Sequence, residues 1–338
     1  MEQKQLDNLP SDLFRPAAGK GDLERIGRPS LSYWQDAWIR LKKNKGAIFG
    51  LVVVILITLL AIFAPILSSH TYREQNLALS KLPPKIPVLE NIGFLGVDGK
   101  DKDGFDVYKA KNVKEYYWFG TDDLGRDQWV RVWQGTRISL LIAVVAALID
   151  LFIGIIYGGI AGFYGGRTDN IMMRIIEILI GIPSLIIVIL FILIFKPGVT
   201  SIILAMVITG WTGMARIVRG QILKMKEQEF VLASKTLGAA NSRLIGKHLI
   251  PNVLGPIIVT TMFTVPGAIF TEAFLSFIGL GIAPPQASLG ALVNDGFRFI
   301  QTYPYQLIIP SIVISLLILS FNLLGDGLRD ALDPKMRK

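Results

Sequence analysis

The chain has no cysteine. That excludes a disulfide framework and any thiolate metal site. Its two histidines, His70 and His248, stand too far apart in sequence for a local metal motif, and a zinc site would need carboxylates for its remaining ligands. Charge is sparse as well, at 18% Asp, Glu, Lys and Arg over 338 residues. No stretch has the order Gly, four residues, Gly-Lys-Ser/Thr, in which successive backbone N–H groups cradle phosphate and a hydroxyl reaches magnesium. The nearest approach, Gly246-Lys247, has Asn241 where the first glycine belongs and His248 after the lysine. On this reading the chain has no catalytic residue, no metal and no cofactor of its own. ATP and Mg, if they act with it, sit on another chain.

What the sequence holds in excess is apolar surface: 51% of residues are hydrophobic and the mean hydropathy is +0.50. Several windows of about 18 residues or more are nearly free of charge, long enough for a helix to cross hydrocarbon. The expected fold is an all-α polytopic membrane protein. In a soluble chain the net charge of +9 would point to nucleic acid. Here the basic residues sort by membrane side, and nucleic acid drops out as a partner.

Residues 1–45 are polar and end in "RLKKNK", directly before "GAIFGLVVVILITLLAIFAPIL" (46–67). The positive-inside rule places such a segment in the cytoplasm, and no cleaved signal peptide is read there. Residues 68–137 turn polar with mixed signs and read as a small, irregular extracytoplasmic insertion. Within it Asp122, Asp123, Arg126 and Asp127 fit a capped turn better than a metal or peptide-terminus site. The turn is expected to lead into an amphipathic "WVRVW" helix at the outer surface.

A core over 138–326 follows with five more apolar runs: 139–166, 171–195, 198–218, 252–281 and 306–326. In the first of these Gly154, Gly158, Gly162 and Gly166 recur every four residues, a helical face that another helix can approach closely. The outer loop between the last two runs has a short helix expected near 289–300, interfacial or re-entrant. Six spans put both termini in the cytoplasm, including the basic tail 327–338. Asp150, Glu177 and Glu272 lie inside apolar runs, where an ionised group costs at least about 2.5 kcal/mol unless it meets a cavity or a partner. Each is a weak candidate for lining a pathway. Pairing, for example of Glu177 with Arg174, is the structural alternative.

One polar stretch, "EQEFVLASKTLGAANSRLIGKHLIP" (227–251), sits between two of these runs within a cytoplasmic loop, 219–251. Phe230, Ala233/Ser234 and Leu237 recur at helical spacing and give a narrow apolar stripe suited to a groove on a soluble partner. Gly238 fits a bend or a close backbone approach. A second helix is expected from Asn241 or Ser242 as N-cap, returning to the membrane at Pro251.

This stretch resembles the cytoplasmic EAA loop of ABC-transporter permeases, in which Glu-Ala-Ala is followed after three residues by Gly and later by Leu-Pro. Ala233, Gly238 and Pro251 match. Leu232, Ser234 and Ile250 depart, and Leu232 replaces the family glutamate. "FGTDDLGRDQWVRVWQGTRISL" (119–140) and "LGDGLRDALDPKMRK" (324–338) are similar to the second permease subunit of oligopeptide, dipeptide and nickel importers. The resemblance implies a type I ABC importer permease fold. It also implies a homologous second permease subunit, two ATPase subunits, an extracytoplasmic substrate-binding protein and a lipid bilayer as partners. The ATPase-coupling residues it implies are Phe230, Val231, Leu232, Ala233, Ser234, Lys235, Thr236, Leu237, Gly238 and Ala239. Substrate stays open among oligopeptides, dipeptides, nickel and opine-type chelates. A membrane enzyme or sensor would need a nucleophile with its base, or a ligand set, and 68–137 supplies neither. A secondary transporter would have no use for the polar loop.

Overall fold

The computed structural model describes residues 32–87, 96–101 and 103–333. The readings made of 1–31, of 334–338 and of the stretch 88–95 within the insertion lie outside the described residues. Helix α1 (Tyr33–Lys43) opens with a capping box, Ser32 accepting from the Gln35 amide while the Gln35 side chain accepts from Ser32. It packs on the far end of the last helix, where the Tyr33 hydroxyl donates to the Leu332 carbonyl at 3.2 Å. Asn44 then caps α2 (Lys45–Leu67), the first apolar span, by accepting from Ala47 at 3.1 Å. Pro65 inside α2 leaves the Ala61 carbonyl without its helical donor. Arg137 of α4 (Gln128–Tyr164) supplies one, donating to Ala61 at 3.2 Å and to Ile62 at 2.8 Å.

Helix α4 departs from expectation. The "WVRVW" segment is not a separate surface helix but the first turns of one unbroken helix of 37 residues. At 1.5 Å per residue it runs about 55 Å, well beyond the roughly 30 Å of hydrocarbon, so its first turns stand in the polar module that precedes it. Its lower half packs along α8 (Trp211–Met225) through the glycine face. A Cβ on Gly154 would meet Met214, one on Gly158 would meet the Ala215 carbonyl and Val218, and one on Gly162 would meet Arg219 and Ile222. Gly166 is not part of this face; it opens the next helix, with open space around it.

The run 171–195 is not one straight span. Helix α5 (Gly166–Gly181) and helix α6 (Ser184–Phe195) meet at a 78° bend. Pro183 causes the break, since its ring pushes the preceding residue out of helical geometry and its nitrogen carries no hydrogen. Five helices are thus long and apolar enough to cross a membrane, and the bent pair brings the number to six. The others are α7 (Val199–Thr209) continuing into α8, α12 (Leu254–Phe277) and α14 (Tyr305–Leu332), besides α2 and α4. Their common core joins Ile57, Ala146, Ile269, Leu289 and Leu317 from five helices. One of these is α13 (Leu289–Phe297), which buries Leu289, Gly290, Leu292 and Gly296 against α4, α12 and α14. The short helix expected in this loop is therefore packed into the bundle.

The module between α2 and α4 has no regular strand among the described residues; it has isolated bridges, a 3-10 turn at Leu77–Leu79 and a short helix α3 (Val107–Ala110) around Leu82, Tyr108 and Tyr117. It is clamped to the membrane core from the α14 side. The Tyr305 hydroxyl lies 2.8 Å from the Leu82 carbonyl and 2.9 Å from that of Thr121, which also accepts from Gln306 at 3.1 Å.

Candidate functional site

Between α8 and α12 the chain leaves the bundle and forms helix α9 (Glu229–Thr236). Val231, 2% exposed, belongs to one buried cluster with Val218, Ile222, Leu244, Leu249 and Val253, and α9 is seated on the return segment Leu244–Leu249. Phe230, Leu232, Ala233, Lys235, Thr236 and Leu237 are left exposed, Leu237 at 88%. Ser234 and Ala239 are half-buried. An apolar face of this size on a polar loop matches what a partner groove covers. Leu232 adds to that face where a glutamate would have carried charge.

Gly238 ends α9. Its φ is +81°, the Ala239 amide donates to Ser234 and the Gly238 amide to Lys235, the two bonds of a Schellman turn. A Cβ there would meet nothing, so the glycine serves backbone conformation and not the close approach that was the alternative. The return segment also differs from expectation. Ala240, not Asn241 or Ser242, is its N-cap, and the helical run passes from α10 (Asn241–Arg243) through a π turn at Leu244–Leu249 into α11 (Ile250–Asn252). The π turn stands directly before Pro251, whose ring displaces the carbonyl four residues back. The Asn252 side-chain amide donates to the His248 carbonyl at 2.6 Å, satisfying a group in the same turn.

The loop is tied to the bundle by charge. Arg219 of α8 holds both carboxylate oxygens of Asp169 of α5, each at 2.5 Å. Lys226 donates to the Gly162 carbonyl at 3.1 Å near the end of α4. Neither contact was legible in the sequence, where the pair is separated by the α5–α6 bend and a whole further span.

The three intramembrane acids take three different places. Glu272 is fully buried (0%) and accepts from Ser139 of α4 at 2.5 Å and from Ser276 at 2.7 Å, while Ser288 binds Ser276 at 3.0 Å. It knits α4, α12 and the start of α13 together. Glu177 is exposed and pairs with Arg174 at 3.0 Å beside a second, open depression lined by Arg216 and Arg219. Asp150, 6% exposed, lines a cavity between α4, α6, α7 and α12.

The acidic turn before α4 is a structural knot. The Asp122 carboxylate accepts from the amides of Leu124 and Arg126, both at 2.9 Å, from Arg126 Nε at 2.6 Å and from Arg131. Arg131 reaches on to Asp295 of α13 at 3.4 Å. Asp127 caps α4 by accepting from Trp129 at 2.8 Å. Burial pushes the Asp127 carboxyl above the usual carboxylate range, opposed by that amide and by His70. Burial likewise pushes the Tyr117 hydroxyl up to about 12.

A bundle of long apolar helices with one bent pair and an anchored loop helix is the geometry the family comparisons address. The family of binding-protein-dependent transport system inner membrane components matches residues 154–338, more than half of the chain. The chain belongs to that family. A second model, the N-terminal TM domain of oligopeptide transport permease C, matches this family member over residues 32–84. The oligopeptide transport system permease protein OppC of Bacillus subtilis is 50% identical over 98% of this chain and 100% of its own length. The dipeptide transport system permease protein DppC of the same organism is 48% identical over 100% and 97%. OppC of Escherichia coli K12 is 38% identical over 93% and 95%. Among solved structures, the inward-facing MetNI methionine ABC transporter aligns with TM-score 0.51 at 18% identity, covering 60% of this chain and 96% of that one. At that identity the likeness speaks for the fold alone. The chain is a multi-pass membrane permease.

Proposed function

We propose that this permease is one of two homologous transmembrane subunits of an ATP-driven importer that brings peptides into the cell. The observation that carries the reading is α9, a helix fastened by Val231 and presenting Phe230, Leu232, Ala233 and Leu237 outward, with nothing covering that side among the described residues. Two ATPase subunits bind ATP and Mg; one docks on residues 230–239. Its closure moves α9, and α9 moves α8 and, through Asp169, the bent α5–α6 pair. The motion is rigid-body gating between inward-open and outward-open arrangements. Both termini are cytoplasmic in this reading, and the outer module receives an extracytoplasmic binding protein. The ATPase site lies off this chain.

The peptide assignment rests on relatives named for oligopeptide and dipeptide transport. Uptake of labelled di- and oligopeptides and of nickel by a deletion strain tests it. Loss of peptide uptake with nickel uptake intact is the expected result, and the converse overturns it.

A further inference from the structure

Asp150 stands near the middle of the apolar part of α4, yet its carboxylate has no hydrogen bond or ion pair among the described residues. Its Oδ1 is shut off from solvent with no partner at all. Both oxygens press on Gly210, where α7 passes into α8, so closely that any side chain at 210 would overlap them. The carboxylate faces a cavity of about 380 Å³, within the range that holds a small organic ligand. An unpaired anion at this depth is costly, and such groups persist where a cavity or partner uses them.

The rest of the lining points to the sign of that ligand. Thr264 and Thr271 spend their hydroxyl hydrogens on the carbonyls of Thr260 and Gly267, at 3.1 and 2.8 Å, which leaves their oxygens as acceptors. No cationic side chain lines the cavity among the described residues. Ser184 and Thr209 add hydroxyls that can accept as well as donate, and oxygen acceptors around one carboxylate, with no positive group, repel an anion and suit a donor-rich cation. An ammonium group offers three N–H donors and no acceptor. A divalent metal would need several charged or hard ligands, and no group of three His, Cys, Asp or Glu side chains converges among the described residues.

We infer that Asp150 is a recognition point for a primary ammonium group of the substrate as it crosses the membrane. The inference rests on the peptide-import reading and names the part of the substrate the permease itself senses. The ammonium comes from the amino terminus of a peptide or from a lysine side chain.

The test uses the complete complex in proteoliposomes, with binding protein saturating. Uptake of Ala-Lys-Ala and Ala-norleucine-Ala, each with a free and an acetylated amino terminus, is compared between the unaltered complex and Asp150→Asn. The variant should slow the ammonium-bearing member of one pair about tenfold relative to its neutral analogue, the effect of losing a charged hydrogen bond. A difference confined to the lysine pair assigns the side chain; one confined to the acetylation pair assigns the terminus. In the unaltered complex, the favoured peptide should also protect Asp150 from dicyclohexylcarbodiimide, read as the mass of the peptide carrying residue 150. Equal slowing of all four peptides, or poor assembly of the variant together with no protection, overturns the inference and assigns Asp150 to a basic side chain of a neighbouring subunit. Failure of the unaltered complex to import any of the four overturns the peptide reading itself.

Discussion

Arg219 grips Asp169 through two parallel hydrogen bonds of 2.5 Å, and that pair joins the helix leading into the 227–251 loop to the helix leading into the bend. A bidentate guanidinium–carboxylate pair fixes orientation as well as distance. Removing the charge with Asp169→Asn should destabilise the purified permease by about 1–2 kcal/mol, a figure held down by the partial exposure of Arg219. It should also lower uptake per ATP hydrolysed. Thermal unfolding and coupled transport assays read the two effects separately.

The glycine face of α4 makes a steric prediction. A side chain at 158 would run into the Ala215 backbone and Val218, so Gly158→Leu should cost about 3 kcal/mol or more and leave little folded permease. Gly213→Ala, on α8 but with open space, should be neutral or stabilise by up to about 1 kcal/mol. Membrane-fraction abundance of the two variants decides it.

Gly238 carries the left-handed turn that ends α9. Gly238→Val should strain that turn by about 1–2 kcal/mol and uncouple ATP hydrolysis from uptake, whereas Gly238→Asn, which tolerates the same φ, should retain coupling. Equal behaviour of the two variants in a coupled assay would remove the turn from the mechanism.

Glu272 binds Ser139 and Ser276 inside the core. Truncation by Glu272→Ala should cost about 2 kcal/mol by leaving buried hydroxyls unpaired. Glu272→Gln, which keeps an acceptor, should cost less. Neither variant should change the ratio between peptides transported, because the cavity at Asp150 is lined by other residues. Unfolding temperature and a peptide competition series measure these outcomes.

Much of the fold could be read from the chain because membrane spans announce themselves as long apolar runs, and the spacing of Gly154, Gly158 and Gly162 announces close helix packing. The bend at Pro183 could have been found, since the proline lies inside a run taken as straight. The length of α4 could not be read from hydropathy, because its first turns are polar enough to look like a separate element. At the loop, the residues 230–239 were legible as a unit through Ala233, Gly238 and their surroundings, but the division of labour was not. Helical spacing picked out Phe230, Ala233 and Leu237 as the apolar stripe, and all three face outward. The residue that buries is Val231, in a cluster shared with α8 and the return segment on which α9 is seated, contacts between elements that no local pattern encodes. Among the acids, carboxylates in similar runs meet different surroundings: serines for Glu272, an arginine for Glu177, a cavity wall for Asp150.

The central claim is that the exposed face of α9 is where the ATPase subunit docks. Leu237→Asp tests it most directly, since Leu237 makes almost no contact within the chain and the change should leave the permease folded. In the reconstituted complex the account predicts wild-type permease abundance, loss of co-purifying ATPase subunits and loss of peptide uptake. Full retention of the ATPase subunits with uptake at the unaltered rate would contradict it.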